Sequence, residues 1–149
     1  MSVRQPEGYL LDTSVLLETL RPQPSPDVTA WMESVDQDKF YVSAITIGEL
    51  MAALEQVADA DRRTALMRWI LTDMQTWFKG HILNLTPEVA AFWGSLAGKL
   101  DQSVSAIAGL QAAFALKHNL HLVTKDSIAV PQLKTVNPWS GGRKSAAAA

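Results

Sequence analysis

The feature that most constrains the fold is the alternation of short apolar segments with longer stretches of helical spacing. Segments "GYLLD" (8–12), "FYVS" (40–43), "HILNLT" (81–86) and "LHLVT" (120–124) are typical of buried strands, and "TVN" (135–137) is a last candidate strand. Strands that alternate with helices favour a mainly parallel sheet covered on both faces. We therefore predict an α/β domain in which helices sandwich a parallel central sheet.

The predicted helices carry recognisable start signals. Asp12 and Ser43 offer N-cap side chains directly after strands, and Pro87 occupies a first-turn position. The apolar spacing places helices near 13–20, 26–32, 44–57, 60–79, 87–100 and 105–117.

Length and composition bound the possibilities further. A chain of 149 residues with 48% hydrophobic and 19% charged residues predicts a single domain over 1–140. The segment "GGRKSAAAA" (141–149) departs from this composition, and we interpret it as a disordered tail or a remnant of cloning.

Charge and cysteine content exclude several classes. The net charge of −2 provides no bulk attraction for nucleic acid, so such a partner would need a local patch. The absence of cysteine excludes disulfides, thiolate metal sites and a cysteine nucleophile. No apolar run has the length of a signal peptide or a membrane span, so we expect a cytoplasmic protein.

Three acids fall where an α/β fold places its ligands, at the carboxyl ends of strands. Asp12 closes the first strand, Asp126 follows "LVT", and Glu49 lies in the helix after "FYVS". Glu49 shares a helix face with small and apolar neighbours, so we expect it to point toward other elements. Gly48 beside it lowers helix propensity and would suit a close approach of another backbone segment.

Converging carboxylates form a site of hard oxygen ligands suited to Mg²⁺ or Mn²⁺. Ions held in this way turn bound water into a nucleophile and neutralise the charge that develops on a phosphate, which is the chemistry of phosphodiester hydrolysis. Taken singly, Asp12 also fits a helix cap, Glu49 a surface glutamate and Asp126 a turn residue. The metal-site interpretation depends on the three occurring together.

Four segments carry a resemblance to a known family: "YLLDTSVLLETL", "YVSAITIGELMAAL", "GLQAAFALKHNLHLVTKD" and "VNPW". In this order, from Gly8 to Trp139, they resemble PIN-domain proteins, specifically the VapC-type toxin ribonucleases of bacterial toxin–antitoxin pairs. The resemblance implies a PIN-domain-like fold and a metal-dependent endoribonuclease that uses Mg²⁺ or Mn²⁺.

The resemblance also implies site residues. Asp12 matches the family's strand-end acid, Glu49 its helix acid, and Asp126 the acid or amide of its "TxD/N" segment. Ser14 and Thr124 match hydroxyl positions beside the site, although both also fit ordinary caps.

The chain departs from the family at one position. The family helix carries an acid 18 residues before the acid or amide of "TxD/N", and that position is Ala108 here. Asp12, Glu49, Ala108 and Asp126 are therefore our predicted catalytic and metal-binding positions, with one ligand missing. Alanine is an ordinary residue in this Ala-rich helix, but the intact remainder favours an introduced Asp→Ala substitution. We expect metal affinity and hydrolysis to fall sharply while the fold survives.

The partners implied by the resemblance are a tRNA or rRNA substrate, a VapB-like antitoxin whose C-terminal segment enters the active groove, and a second copy in a homodimer or toxin–antitoxin hetero-oligomer. The helices around Trp31 and Trp69 are candidates for the apolar contact surface. Basic residues that either line an RNA groove or form solvated helix faces include Arg62, Arg63, Arg68, Lys79, Lys99, Lys117, Lys125 and Lys134.

Other classes fit less well. His81, His118 and His121 lack metal-ligand spacing, a phosphotransfer aspartate would want an acid where Ser14 stands, and no Gly-rich turn follows the first strand. The remaining alternative is a non-catalytic PIN-like module that binds RNA or antitoxin, and Ala108 keeps that alternative open.

Overall fold

The fold is described from a computed structural model, which describes residues 6–140 and 143–144. The strands are β1 (Gly8–Leu11), β2 (Phe40–Ser43), β3 (Ile82–Leu83), β4 (Leu120–Val123), β5 (Thr135–Asn137) and β6 (Arg143–Lys144). The helices are α1 (Thr13–Thr19), α2 (Pro26–Glu33), α3 (Ala44–Leu54), α4 (Ala60–Arg68), α5 (Met74–Trp77), α6 (Pro87–Ala97) and α7 (Ala106–Lys117).

The strands form one sheet in the order β3-β2-β1-β4-β5-β6. The five strands β1 to β5 are parallel to one another, whereas β6 pairs antiparallel with β5. The predicted parallel α/β architecture is confirmed. Because β1 has β2 on one side and β4 on the other, the chain reverses its winding direction there, which creates a crevice at the carboxyl ends of β1 and β4.

Helices cover both faces of the sheet, and the pleat of each strand divides its side chains between them. In β1, Leu10 faces the layer that contains α6 and α7, whereas Leu11 faces the layer that contains α1 to α5. In β4, Leu122 and Val123 divide in the same way, and all four side chains are fully buried. The parallel strands are therefore apolar on both faces, as their sequences indicated.

The predicted long helix at 60–79 is interrupted in the structure. A π-helical turn over Trp69–Asp73 separates α4 from α5. Such a turn adds a residue to the helix without a sequence signal as clear as proline or glycine, so periodicity alone predicted one continuous helix.

The predicted boundary at residue 140 differs from the structure. Arg143 and Lys144 pair with Asn137 and Val136 as β6, so the disordered tail predicted over 141–149 does not hold for these two residues. The rest of that segment lies outside the described residues. In the described part of the chain, no helix has the length and apolar character that crossing a membrane requires.

Candidate active site

Asp12 lies at the crevice between β1 and β4 and caps α1. Its backbone N–H donates to the Val123 carbonyl over 2.9 Å, which continues the pairing of the two strands by one residue. Its Oδ2 accepts hydrogen bonds from the Ser14 hydroxyl (2.7 Å), the Ser14 backbone N–H (3.3 Å) and the Thr124 hydroxyl (3.2 Å). Both predicted flanking hydroxyls thus contact Asp12 and orient its carboxylate.

Glu49 projects from α3 toward α1, as its helix face predicted. The side chain is half-buried, and its Oε1 accepts a hydrogen bond from the Thr13 hydroxyl over 2.6 Å. Within the described residues, Glu49 has no lysine or arginine partner at ion-pair distance. The hydrogen bond from the Thr13 hydroxyl is therefore the contact that orients this half-buried carboxylate.

The expectation for Gly48 is wrong. A Cβ atom built on Gly48 would have no neighbour within 4 Å, and the residue is exposed. No other backbone segment among the described residues approaches Gly48 closely, so the structure gives no steric reason for glycine at this position.

Asp126 and Ala108 complete the predicted set from the other side of the crevice. Asp126 is exposed, and its backbone N–H donates to the Thr124 hydroxyl over 3.2 Å, so Thr124 links Asp12 to the Asp126 loop. Ala108 lies in the first turn of α7, where its N–H donates to the N-cap hydroxyl of Ser105 over 3.1 Å.

All four predicted positions lie on the wall of one cleft of about 280 Å³. A second space of about 370 Å³ adjoins this cleft, because Ser105, Ala108, Asp126 and Ile128 line both. The first cleft is lined by Asp12, Thr13, Ser14, Leu17, Glu49, Ser105, Ile107, Ala108, Asp126 and Ile128. Asp12 and Asp126, which are 114 residues apart in the sequence, are thus brought to the same cleft.

The charged residues that line this cleft are all acidic. Three of its residues are acids and none is lysine or arginine. The predicted groove cations lie elsewhere: Arg62 donates to the Leu20 carbonyl, Arg63 to the Val57 carbonyl, and the Lys125 ammonium lies over the Trp139 ring.

The donor atoms match a hard cation in type, because carboxylates and hydroxyls are the oxygen ligands that Mg²⁺ and Mn²⁺ prefer. Across residues 6–140 and 143–144, however, no three histidine, aspartate or glutamate side chains are grouped closely enough to hold a metal ion. The methyl group of Ala108 contributes no oxygen to the cleft.

A buried polar chain behind Glu49 was not predicted. The Ser43 hydroxyl donates to Gln111 Oε1 (2.9 Å), Gln111 Nε2 donates to Thr46 Oγ1 (2.9 Å), and the Thr46 and Thr13 hydroxyl oxygens lie 3.1 Å apart. One sequence signal was available: Gln111 interrupts an otherwise apolar stretch of α7, and a buried amide needs partners.

These features define a class of protein. The PIN domain family model matches residues 9–130, which covers most of the chain and all but the last strands of the sheet. The chain belongs to the PIN domain family.

Two relatives are similar over almost their whole length. Toxin FitB of Neisseria gonorrhoeae is 33% identical over 87% of this chain and 97% of its own. VapC ribonuclease Y4jK of Sinorhizobium fredii is 27% identical over 87% of this chain and 96% of its own. Within the PIN family, this chain is therefore similar to toxins and to a ribonuclease.

Solved structures agree in fold. FitAcB from Neisseria gonorrhoeae superimposes with a TM-score of 0.76 at 32% identity, over 88% of this chain and 98% of that one. FitAB bound to a DNA fragment gives a TM-score of 0.78 at 32% identity, over 88% and 95% of the two chains.

Proposed function

We propose that this chain is the toxin of a toxin–antitoxin pair, a metal-dependent endoribonuclease whose activity is impaired by Ala108. The observation that carries the proposal is the meeting of Asp12, Glu49, Ala108 and Asp126 on one cleft at the crevice between β1 and β4. A cleft at this place in a parallel sheet is the usual ligand site of the fold. The similarity to a toxin and to a ribonuclease supports the same function.

The charge of the cleft supports a requirement for metal. A phosphodiester is an anion, and a wall that carries three acids without a basic residue repels it. When bound, Mg²⁺ or Mn²⁺ would supply an activated water and would offset the charge on the phosphate. Asp12, Glu49 and Asp126 are the residues that would offer oxygen ligands, and Ser14, Thr13 and Thr124 orient the first two.

Ala108 explains why we propose impaired activity. Its half-buried side chain lies on the wall that the two adjoining spaces share, where a carboxylate would face the other three acids. With alanine there, the site lacks one charge and one ligand, which lowers metal affinity.

A protein partner is supported by a second groove next to the cleft. This groove of about 130 Å³ is lined by apolar side chains of α1, α3 and α4, with Arg21 and Arg62 among its polar members. Leu17 lines both the groove and the cleft, so a bound helix in the groove could extend a terminal segment into the site. We propose an antitoxin as the occupant and a second copy of the chain as a further partner.

The experiment that tests the nuclease compares this chain with its Ala108→Asp variant on total cellular RNA, with Mg²⁺, Mn²⁺ or EDTA. We expect Ala108→Asp to raise the cleavage rate at least about 100-fold, because a lost ligand costs no less than the outer-shell partners of metal ligands do. EDTA should abolish the gain. Adding Glu49→Gln to Ala108→Asp should also abolish it.

The matched control is Ala91→Asp, which adds the same carboxylate to an exposed position of α6 outside the cleft. It should leave cleavage at the level of the parent chain. If neither the parent nor Ala108→Asp cuts RNA with either metal, the nuclease assignment is wrong and the chain is a PIN-like binding module. The observation that favours this second candidate is that, among the residues that the structure describes, no three acidic or histidine side chains are grouped closely enough to hold a metal ion.

A further inference from the structure

The buried polar chain ends on the carboxylate of Glu49. Ser43 and Thr46 are fully buried, Gln111 is 1% exposed and Thr13 is 6% exposed. The chain connects the end of β2 to α7, α3 and finally α1, and its last link is the 2.6 Å bond from the Thr13 hydroxyl to Glu49 Oε1. Four elements of the fold therefore converge on one carboxylate oxygen.

The chemistry of these groups determines which one donates and which one accepts in each hydrogen bond of the chain. An ionised carboxylate only accepts, so the one hydroxyl proton of Thr13 is used by Glu49. The two threonine hydroxyl oxygens lie 3.1 Å apart, and because the Thr13 proton is engaged by Glu49, this contact is a hydrogen bond only when the Thr46 hydroxyl donates. The Thr46 oxygen can still accept, and the Gln111 amide N–H donates to it over 2.9 Å. Every donor thus points toward Glu49.

We propose that Gln111 is a positioning residue for Glu49: its amide orders a relay through Thr46 and Thr13 that holds Oε1, so that the carboxylate would already be oriented when a metal ion binds. The inference rests on the proposed function, because it assigns the relay a task at the same site. Fixed outer-shell hydrogen bonds of this kind orient metal ligands. Gln111 stands in α7 one turn after Ala108, so this helix supplies both the missing ligand position and the group that orders another ligand.

A first experiment tests the relay without any metal, in the chain as it is. The side-chain amide protons of Gln111 are observed by ¹⁵N NMR and identified by their loss in Gln111→Met. We expect them to exchange slowly with solvent and to shift in Glu49→Gln, which changes the acceptor at the far end. Glu55→Gln, at an exposed position just after α3, should leave them unchanged. Unshifted signals in Glu49→Gln would overturn the relay.

A second experiment measures its consequence as the dissociation constant for Mn²⁺, by calorimetry in the Ala108→Asp background. Gln111→Met should weaken binding about 10-fold, the lower end of the usual effect of outer-shell substitutions. Thr13→Val should weaken it similarly, and Thr13→Ser, which keeps the hydroxyl, should restore it. Gln75→Met, on the exposed face of α5, should leave it unchanged.

A double-mutant cycle separates positioning from packing. If Gln111 acts through Glu49, then Gln111→Met has no further effect on Mn²⁺ affinity once Glu49→Gln is present. A purely structural role would lower the melting temperature in Gln111→Met with an unchanged dissociation constant, and that result would overturn the proposal. Absence of Mn²⁺ binding by Ala108→Asp itself would refute the proposed function, while the NMR signals still decide whether the relay exists.

Discussion

Gly8 and Gly48 show that the surroundings of a glycine decide whether a larger side chain can replace it. A Cβ atom on Gly8 would meet the Lys39 carbonyl and, at 2.8 Å, the Tyr41 ring, because β1 and β2 pass close together there. A Cβ atom on Gly48 would meet nothing. Gly8 is therefore required by the approach of a neighbouring strand, whereas Gly48 is a helix residue that a larger side chain can replace.

Alanine substitutions at the two positions should have opposite effects on the free energy of unfolding. Gly48→Ala should raise it by up to about 1 kcal/mol, because alanine has the higher helix propensity. Gly8→Ala should lower it by about 1–3 kcal/mol, because the added methyl group forces the strands apart. Urea denaturation followed by circular dichroism measures both, and a destabilised Gly48→Ala would contradict the open space around α3.

At the scale of elements, α1 is held to the end of the fold by Glu18. Its buried carboxylate accepts hydrogen bonds from the Ser25 backbone N–H (3.0 Å), the Trp139 indole N–H (3.3 Å) and the Arg21 guanidinium (3.3 Å). The hydrogen bond from the Ser25 backbone N–H is the main cause that lowers the pKa of Glu18. The hydrogen bonds from Trp139 and Arg21 and the positive charge of Arg21 lower it further. One carboxylate thus connects α1 to the loop before α2 and to the "NPW" segment.

This lowered pKa predicts the pH dependence of stability. The contribution of Glu18 is fully present above its ordinary pKa of 4.5 and disappears as the pH falls through the lower pKa of the folded state. Glu18→Gln should therefore lower the free energy of unfolding at pH 7 and reduce its decline below pH 4.5. Denaturation at several pH values measures this, with Glu33→Gln, on the exposed surface of α2, as the control. An unchanged pH slope in Glu18→Gln would refute the assignment.

At the scale of the whole molecule, three exposed large apolar side chains lie on the helices α4 and α5 and the turn between them. Met67 in α4, Leu71 in the π-helical turn and Trp77 in α5 are 39%, 50% and 51% exposed. Trp31 instead packs against Tyr9 and Phe40 within the fold, so it is not the exposed surface that its sequence position suggested. The α4–α5 stretch is thus the better candidate for contact with a second copy.

The predicted homodimer should depend on this surface. We expect the parent chain to have twice its 16.3 kDa mass in light scattering after gel filtration, and the Leu71→Lys/Trp77→Lys variant to have the mass of one chain, because a charge cannot be buried there without a partner. Leu85→Lys, at a 45% exposed position outside this stretch, should remain paired. A monomeric parent would remove the dimer from the proposal.

Local periodicity was sufficient to predict the five parallel strands and the helices between them, because each depends on residues close in the chain. It also placed Asp12 and Asp126 after strands and Glu49 on the helix that follows the second strand. The resemblance to a family identified Ala108 as the departure. Neither the local periodicity nor the family resemblance predicted β6 or the π-helical turn at Trp69–Asp73. Strand pairing and helix geometry at those points depend on contacts with distant residues.

The sequence by itself therefore determined the order of the elements, the two-sided apolar character of the sheet and the three acids that line the cleft. The tertiary structure decided which side chains form hydrogen bonds with one another at the cleft and behind it. Hydrogen bonds from Thr124 to Asp12 and from Gln111 to Thr46 join residues that are 112 and 65 positions apart, and such pairs leave no periodic trace in the chain. Side-chain polarity is a local property, but the satisfaction of a buried polar group is a property of the whole fold.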